Sequence, residues 1–378
     1  MAAFFVLVCL AAPLCGLLQP ACDWDMLIYI GIINFWHHPD IVHAHAVAYA
    51  DTEKFCLAWN ANKEVWALLV NRADPYRYGV LTDPKAFLAQ FPLYQIRPVY
   101  LVLIDLVSRL MGSFALATLV ISVAATACNN ALFSLFAVRR AGPFHGATIA
   151  AVFCLCPAIF AIAGLSTPDA LATLAVTAGL VAMCSRANIA GALILAAGAG
   201  VRSDAVVLNV MVAAALAYLF LRGRGRNDLI AAVILLVSVI ATFWFAHAVG
   251  NYGYRVLYHF TFLEGQSLDP SVYAGAPVPP RAFAAAFVRG VAQGLKWGAL
   301  SWAVFGMLAC ATLWHFGRIG RRELALFAAL TAGLWGREIL FPNPEPRFVA
   351  PIICGMFVVL AAALGKSLRP KGPAAETA

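Results

Sequence analysis

Charge is what this sequence most lacks. Asp, Glu, Lys and Arg supply 12% of its 378 residues, about half the share of an ordinary soluble domain. Hydrophobic residues supply 63%, and the mean hydropathy is +0.83. That balance excludes a water-soluble globular domain. No repeat of fixed period and no low-complexity region is present. The ten cysteines include no C-x-x-C pair and no zinc-ligand spacing, which excludes a redox dithiol and a zinc module. Cys128, Cys154, Cys184, Cys310 and Cys354 sit within apolar runs, where a thiol behaves as a small hydrophobe. Cys22 and Cys56 share a polar segment, where an oxidising compartment permits a disulfide. The first apolar run lacks a basic n-region and a cleavage site, so it reads as an uncleaved helix.

What is present is a series of apolar runs. They lie at about residues 3–19, 97–111, 114–138, 145–165, 169–185, 187–201, 204–221, 228–249, 297–316, 323–340 and 347–365. Many approach or exceed the roughly 18 to 20 residues that cross a bilayer. The expected fold is all-α: a polytopic integral membrane protein, one domain over residues 1–365, with about 10 or 11 transmembrane helices. Two polar stretches, 20–96 and 250–296, interrupt the runs. The tail, 366–378, is basic and Pro/Ala-rich, and is expected to be a disordered cytoplasmic segment.

The net charge of +8 points to membrane topology and not to nucleic acid, because Lys and Arg collect in cytoplasmic loops. Three clusters qualify: Arg222, Arg224 and Arg226; Arg318, Arg321 and Arg322; Lys366, Arg369 and Lys371. Neighbouring clusters are two crossings apart, so all fit one side, with Arg139 and Arg140. Residues 166–169, 202–204, 250–296 and 342–347 then lie outside. The segment 97–111 decides the remaining parity. It is short and carries Asp105 and Arg109, charges that are costly at mid-membrane. A non-crossing helix is favoured there, which gives ten crossings and both termini cytoplasmic. The alternative is that the 114–138 run breaks near Asn129 and Asn130 and crosses twice.

The first outer stretch reads as juxtamembrane helices. "MLIYIGIINFW" is too short to span and suits a helix lying in the interface. "FCLAWNANKEVWALLV" has helical apolar spacing. "RADPYRYGVLTDP" reads as loop from its Asp-Pro pairs, and "KAFLAQFPLYQIRP" as the run into the next helix.

Topology brings Asp23, Asp25, Arg97, Asp169, Arg202, Asp204, Glu345 and Arg347 to one face. Single charges at helix ends cap or anchor, and "STPD" fits a cap formed by Ser166 or Thr167. Charges of both signs recurring on one side of an apolar protein point further, to a functional site. Arg97, Arg202 and Arg347 suit a phosphate, since a guanidinium offers a fork of donors. A carboxylate suits a general base on a hydroxyl, and other carboxylates suit a divalent cation.

The order of these motifs resembles the GT-C superfamily of integral-membrane glycosyltransferases, which take sugar from a polyprenyl-phosphate carrier. In that group a first helix leads into a large extracytoplasmic loop that opens with an acidic motif, often D-E-x-x-Y. Here Asp25 to Tyr29 keeps the Asp and the Tyr, the Glu is missing, and Asp23 precedes instead. "QIRPVY", with Arg97, stands where a proline motif begins the next helix, and "STPDAL", with Asp169, where an acidic residue opens a later one. "GVRSD" and "PEPRF" fill later polar positions. The resemblance implies inverting transfer to a glycan, lipid or protein acceptor, at the outer face of a bacterial inner membrane and among membrane lipids. It implies Asp25 as base, with Asp23 second, and Arg97, Arg202 and Arg347 on the phosphate. Asp169, Asp204, Tyr29 and Glu345 would support them. A divalent metal ion, held by Asp25 and Asp169, is implied for some members and left open here.

"WHHPDIVHAH" gathers His37, His38, Asp40, His43 and His45, a candidate metal or acceptor subsite whose plainer reading is a solvated interfacial segment. A lipid-linked saccharide flippase or secondary transporter is the alternative function. Against it, no inverted repeat is visible and the polar residues sit at one face instead of the midplane.

Overall fold

The computed structural model describes residues 2–59, 62–223, 225–263, 265–296 and 298–367. Among them the chain is helical, without strands, and one isolated bridge joins Ala21 to Leu165. The helices are α1 (Ala2–Leu18), α2 (Trp24–His37), α3 (Ile41–Ala58), α4 (Lys63–Leu69), α5 (Pro75–Thr82), α6 (Pro84–Leu88), α7 (Phe91–Tyr94), α8 (Pro98–Met111), α9 (Phe114–Ala141) and α10 (Pro143–Cys154). They continue as α11 (Pro157–Ala163), α12 (Asp169–Cys184), α13 (Asn188–Val201), α14 (Ala205–Gly223), α15 (Arg226–Ala248), α16 (Gly253–Tyr258), α17 (Pro280–Lys296), α18 (Ala299–His315), α19 (Arg321–Leu340) and α20 (Pro346–Ser367).

Four of these, α9, α14, α15 and α20, are long and apolar enough to cross a membrane. Counting each of three bent helix pairs as one span raises the number to seven. The chain is thus a membrane-embedded helical protein, and this count is smaller than the ten crossings expected from the apolar runs. The physical reason is length and charge. α12 and α13 are apolar but only 16 and 14 residues long, and α19 carries Arg321, Arg322, Glu323, Arg337 and Glu338.

Two apolar cores stack along α9. Its first turns, Ala115 to Ile121, pack with α2, α3 and α8 and with Phe87, Phe91 and Phe260 in an outer core. Its later turns, from Ala125 to Ala137, pack with α1, α10 to α15 and α18 to α20 in a larger second core. α9 is continuous through Asn129 and Asn130, so the two-crossing alternative fails. Ser113 caps its start, and Asp51 of α3 accepts from Ser113 Oγ at 2.8 Å and from the Ala115 amide at 2.9 Å. These bonds fix the outer core on the long helix.

The outer segment differs from the sequence reading in two places. "MLIYIGIINFW" is not an interfacial helix: Met26 to Asn34 are buried all round, as befits a helix apolar on every face. "RADPYRYGVLTDP" is not loop. Asp74 accepts from the Tyr76 and Arg77 amides and Pro75 takes the first helical position, so the Asp-Pro pair starts α5. "FCLAWNANKEVWALLV" divides between α3 and α4, and "KAFLAQFPLYQIRP" bends by 117° between α6–α7 and α8. A disulfide joins Cys22 to Cys56.

α8 leaves Arg97 and reverses at Gly112, whose φ of +67° ends the helix in the left-handed conformation. Its 14 residues reach about 21 Å. The Asp105–Arg109 pair forms at 2.7 Å on its exposed side. Farther on, the 145–165 run breaks before Pro157 into α10 and α11, bent by 55°. The 250–296 loop holds α16, a π turn (His259–Leu263), a 3-10 turn (Pro270–Tyr273) and α17. Of the expected tail, Lys366 and Ser367 complete α20. Arg224 and residues 368–378 lie outside the described residues.

Candidate functional site

Where the two cores meet, helix starts and ends deliver a layer of charge. Asp23 is the N-cap of α2, and its Oδ1 accepts from the Asp25 amide at 2.9 Å. Its Oδ2 accepts from Arg347 Nη1 at 2.9 Å, while Arg347 Nε donates to Glu345 at 2.8 Å. Asp23 thus has both oxygens engaged. Burial, with the neighbouring Asp25 charge, pushes Asp23 up to about 6, against the opposing pull of Arg347.

Asp25, in the first turn of α2, is held less tightly. Its Oδ2 lies 3.5 Å from Arg97 Nη1, and its side chain is 22% exposed. The Arg97 guanidinium sits over the rings of Tyr29 and Tyr94, at 5.4 and 5.5 Å. Tyr29 in turn meets Tyr94 and Tyr100 edge-on. Arg97 Nε and Nη1 and the hydroxyls of Tyr29 and Tyr100 are buried and make no hydrogen bond among the described residues. A buried donor without a partner is costly. Three such donors, with Arg97 Nη1 held only by its long contact to Asp25, mark a place where a ligand's oxygens would be welcome.

Deeper in, Asp169 opens α12 and pairs with Arg202, at the end of α13. Neither Ser166 nor Thr167 caps that helix: Pro168 is the cap residue, and Thr167 Oγ1 donates to Asp169 Oδ2 at 2.5 Å. Arg202 Nε also donates to Asp204 at 2.7 Å. Burial would raise Asp204, but Arg202 and Arg337 outweigh it and hold the group below the usual carboxylate range. Arg337 Nε reaches Asp204 at 3.4 Å, and Arg337 Nη1 donates to Glu338 and to the Asn343 carbonyl. The half-buried Phe348 ring joins the tiers, with Arg202, Arg347 and Arg337 at 4.5, 4.6 and 4.9 Å from its centre.

The structure therefore links Asp23, Asp25, Tyr29, Arg97, Asp169, Arg202, Asp204, Glu345 and Arg347 in one network. It adds Tyr94, Tyr100, Phe348, Arg337 and Glu338, which sequence reasoning missed. The last two had a signal: they are ionisable residues inside an apolar run, the usual mark of a functional group at membrane depth.

Six acids and four arginines make up the layer, and the carboxylates do not fit a metal. Asp169 faces Arg202 and Asp25 faces Arg97, so each candidate ligand is opposed by a cation. Among the described residues no three His, Cys, Asp or Glu side chains converge on a metal position. The histidine cluster forms no such position either, although His38 and His43 meet edge-on at 5.6 Å. His37 bonds Asp105 at 2.8 Å, His45 bonds the Val80 carbonyl at 3.1 Å, and Asp40 caps α3. An open groove of about 580 Å³ lies at the far ends of α2 and α8, lined by His37, His38, Asp105 and Arg109, away from the charged layer. Comparison with protein-family models, with curated proteins and with solved structures finds no match to this chain.

Proposed function

We propose that the protein is an inverting glycosyltransferase. It moves a sugar from a polyprenyl-phosphate carrier to an acceptor hydroxyl at the extracytoplasmic face of a bacterial inner membrane. One observation carries the reading: a loosely paired, water-accessible Asp25 beside the unused donors of Arg97, Tyr29 and Tyr100. The Cys22–Cys56 disulfide supports an oxidising side for the outer core.

In the transfer, Asp25 takes the acceptor's proton as its oxygen bonds to the anomeric carbon. The bond from that carbon to the phosphate oxygen breaks, and its electron pair leaves with the phosphate. Arg97 meets that growing charge with donors already in place, which strengthens most in the transition state. Arg347 and Arg202, each held by acids, keep the phosphate end positive without collapsing onto Asp25. Attack from the face opposite the leaving group inverts the anomeric configuration.

The test is to supply purified protein with polyprenyl-phosphate-linked sugars and hydroxyl acceptors and to read the product by NMR. A new glycosidic bond of inverted configuration is expected. A retained configuration refutes the single displacement, and carrier crossing the bilayer with no bond made refutes the transferase.

A further inference from the structure

One helix outside the charged layer is built for a different partner. α17, "PRAFAAAFVRGVAQGLK", carries three cations and no acid. At about 100° per residue, Arg281, Arg289 and Lys296 fall within about 80° of one another on its circumference. Ala284, Val288 and Leu295 form an adjoining apolar stripe about 40° wide. Both stripes are exposed, Val288 at 65% and Leu295 at 53%. None of the three cations forms an ion pair with a described residue. The opposite face is buried through Ala286, Gly290 and Gly294. A Cβ at Gly290 would lie 2.5 Å from the Pro342 carbonyl oxygen, and one at Gly294 would lie 2.7 Å from Pro344. α17 is therefore pressed onto the 342–344 loop, three residues before Arg347. It turns by 79° into α18, so the two cannot form one straight rod.

We propose that α17 lies in the membrane interface and gathers anionic phospholipid. The exposed apolar stripe enters the boundary of the acyl chains. The basic stripe beside it meets headgroup phosphates, the arrangement of an interfacial amphipathic helix. Charge complementarity selects the partner: three unpaired cations on one face favour anionic over zwitterionic headgroups. The inference is independent of the transferase reading.

The test uses the full chain with Cys15→Ala and Cys128→Ala, which removes the exposed thiols, and Val288→Cys bearing a fluorophore. The protein is placed in phosphatidylcholine vesicles that contain brominated phosphatidylglycerol or, at equal mole fraction, brominated phosphatidylcholine. Quenching by the anionic lipid should be stronger by at least about twofold at low salt. R281Q/R289Q/K296Q should remove the difference while the apolar stripe keeps the fluorophore quenched. Equal quenching by both lipids in the parent chain, or no quenching by either, overturns the proposal. So does a preference that survives in the triple variant.

Discussion

Charged side chains gather at both ends of the bundle of α12, α13, α19 and α20, and the two ends are built differently. At the end opposite the candidate site, Arg322 reaches Asp228 at 3.1 Å and also meets Asn188, whose Nδ2 donates to Asp228 at 2.6 Å. Lys366 reaches Glu323, and Arg140 donates to the Cys184 carbonyl at 2.7 Å. Each contact fastens one helix terminus to another. At the outer end the Asp25–Arg97 contact is longer, aromatic faces take the place of hydrogen-bonding partners, and a phenylalanine holds three guanidinia apart. Buried charge at a helix end is thus no signal in itself. Several buried donors without hydrogen bonds, gathered beside one loosely paired carboxylate, are.

The contrast breaks first at Arg97. Arg97→Ala is expected to lower sugar transfer by about 10² to 10³-fold, with the melting temperature little changed. Arg322→Ala should do the reverse. It leaves the partly buried Asp228 without its cation, at a cost of up to about 3 to 5 kcal/mol. The measurement is a fall in melting temperature with transfer per folded molecule preserved. If Arg322→Ala abolished transfer without destabilising the fold, the two ends would not differ as described.

Cys56→Ser tests the outer core alone. Opening the disulfide should cost about 2 to 4 kcal/mol, read as a lower melting temperature that matches that of the reduced wild type. The smallest expected effect is one of pH. Asp23 titrates near 6, above the ordinary value of 3.8. An acid raised by folding contributes stability that is present below about 3.8 and lost as pH rises through 6. Six acids also face four arginines, so a phosphate-bearing donor favours proton uptake. Donor affinity should therefore rise as pH falls from 7 towards 6, and Asp23→Asn should flatten that slope in a binding titration.

Much of the helical frame was legible, because apolar runs and Pro or Gly boundaries mark where helices stop. The outer segment was less so. "RADPYRYGV" carries loop-forming residues, yet Asp74 and Pro75 are also an ideal start for α5. "MLIYIGIINFW" is apolar enough for an interface, and only tertiary packing shows that it is enclosed. At the site, the basic-loop rule brought Asp25, Arg97, Asp169, Arg202 and Arg347 to one face before any contact was visible. It could not find Phe348 or the tyrosines, because an aromatic residue in an apolar run carries no charge to be noticed. Nor could it show that Asp23 is occupied as a cap while Asp25 is the looser of the two.

That last distinction is the centre of the account. Sugar transfer by wild type and Asp25→Asn, measured in the same lipid with donor saturating, tests it most directly. A fall of about 10² to 10⁴-fold is expected, with donor binding and melting temperature preserved. Transfer by Asp25→Asn at the wild-type rate would contradict it.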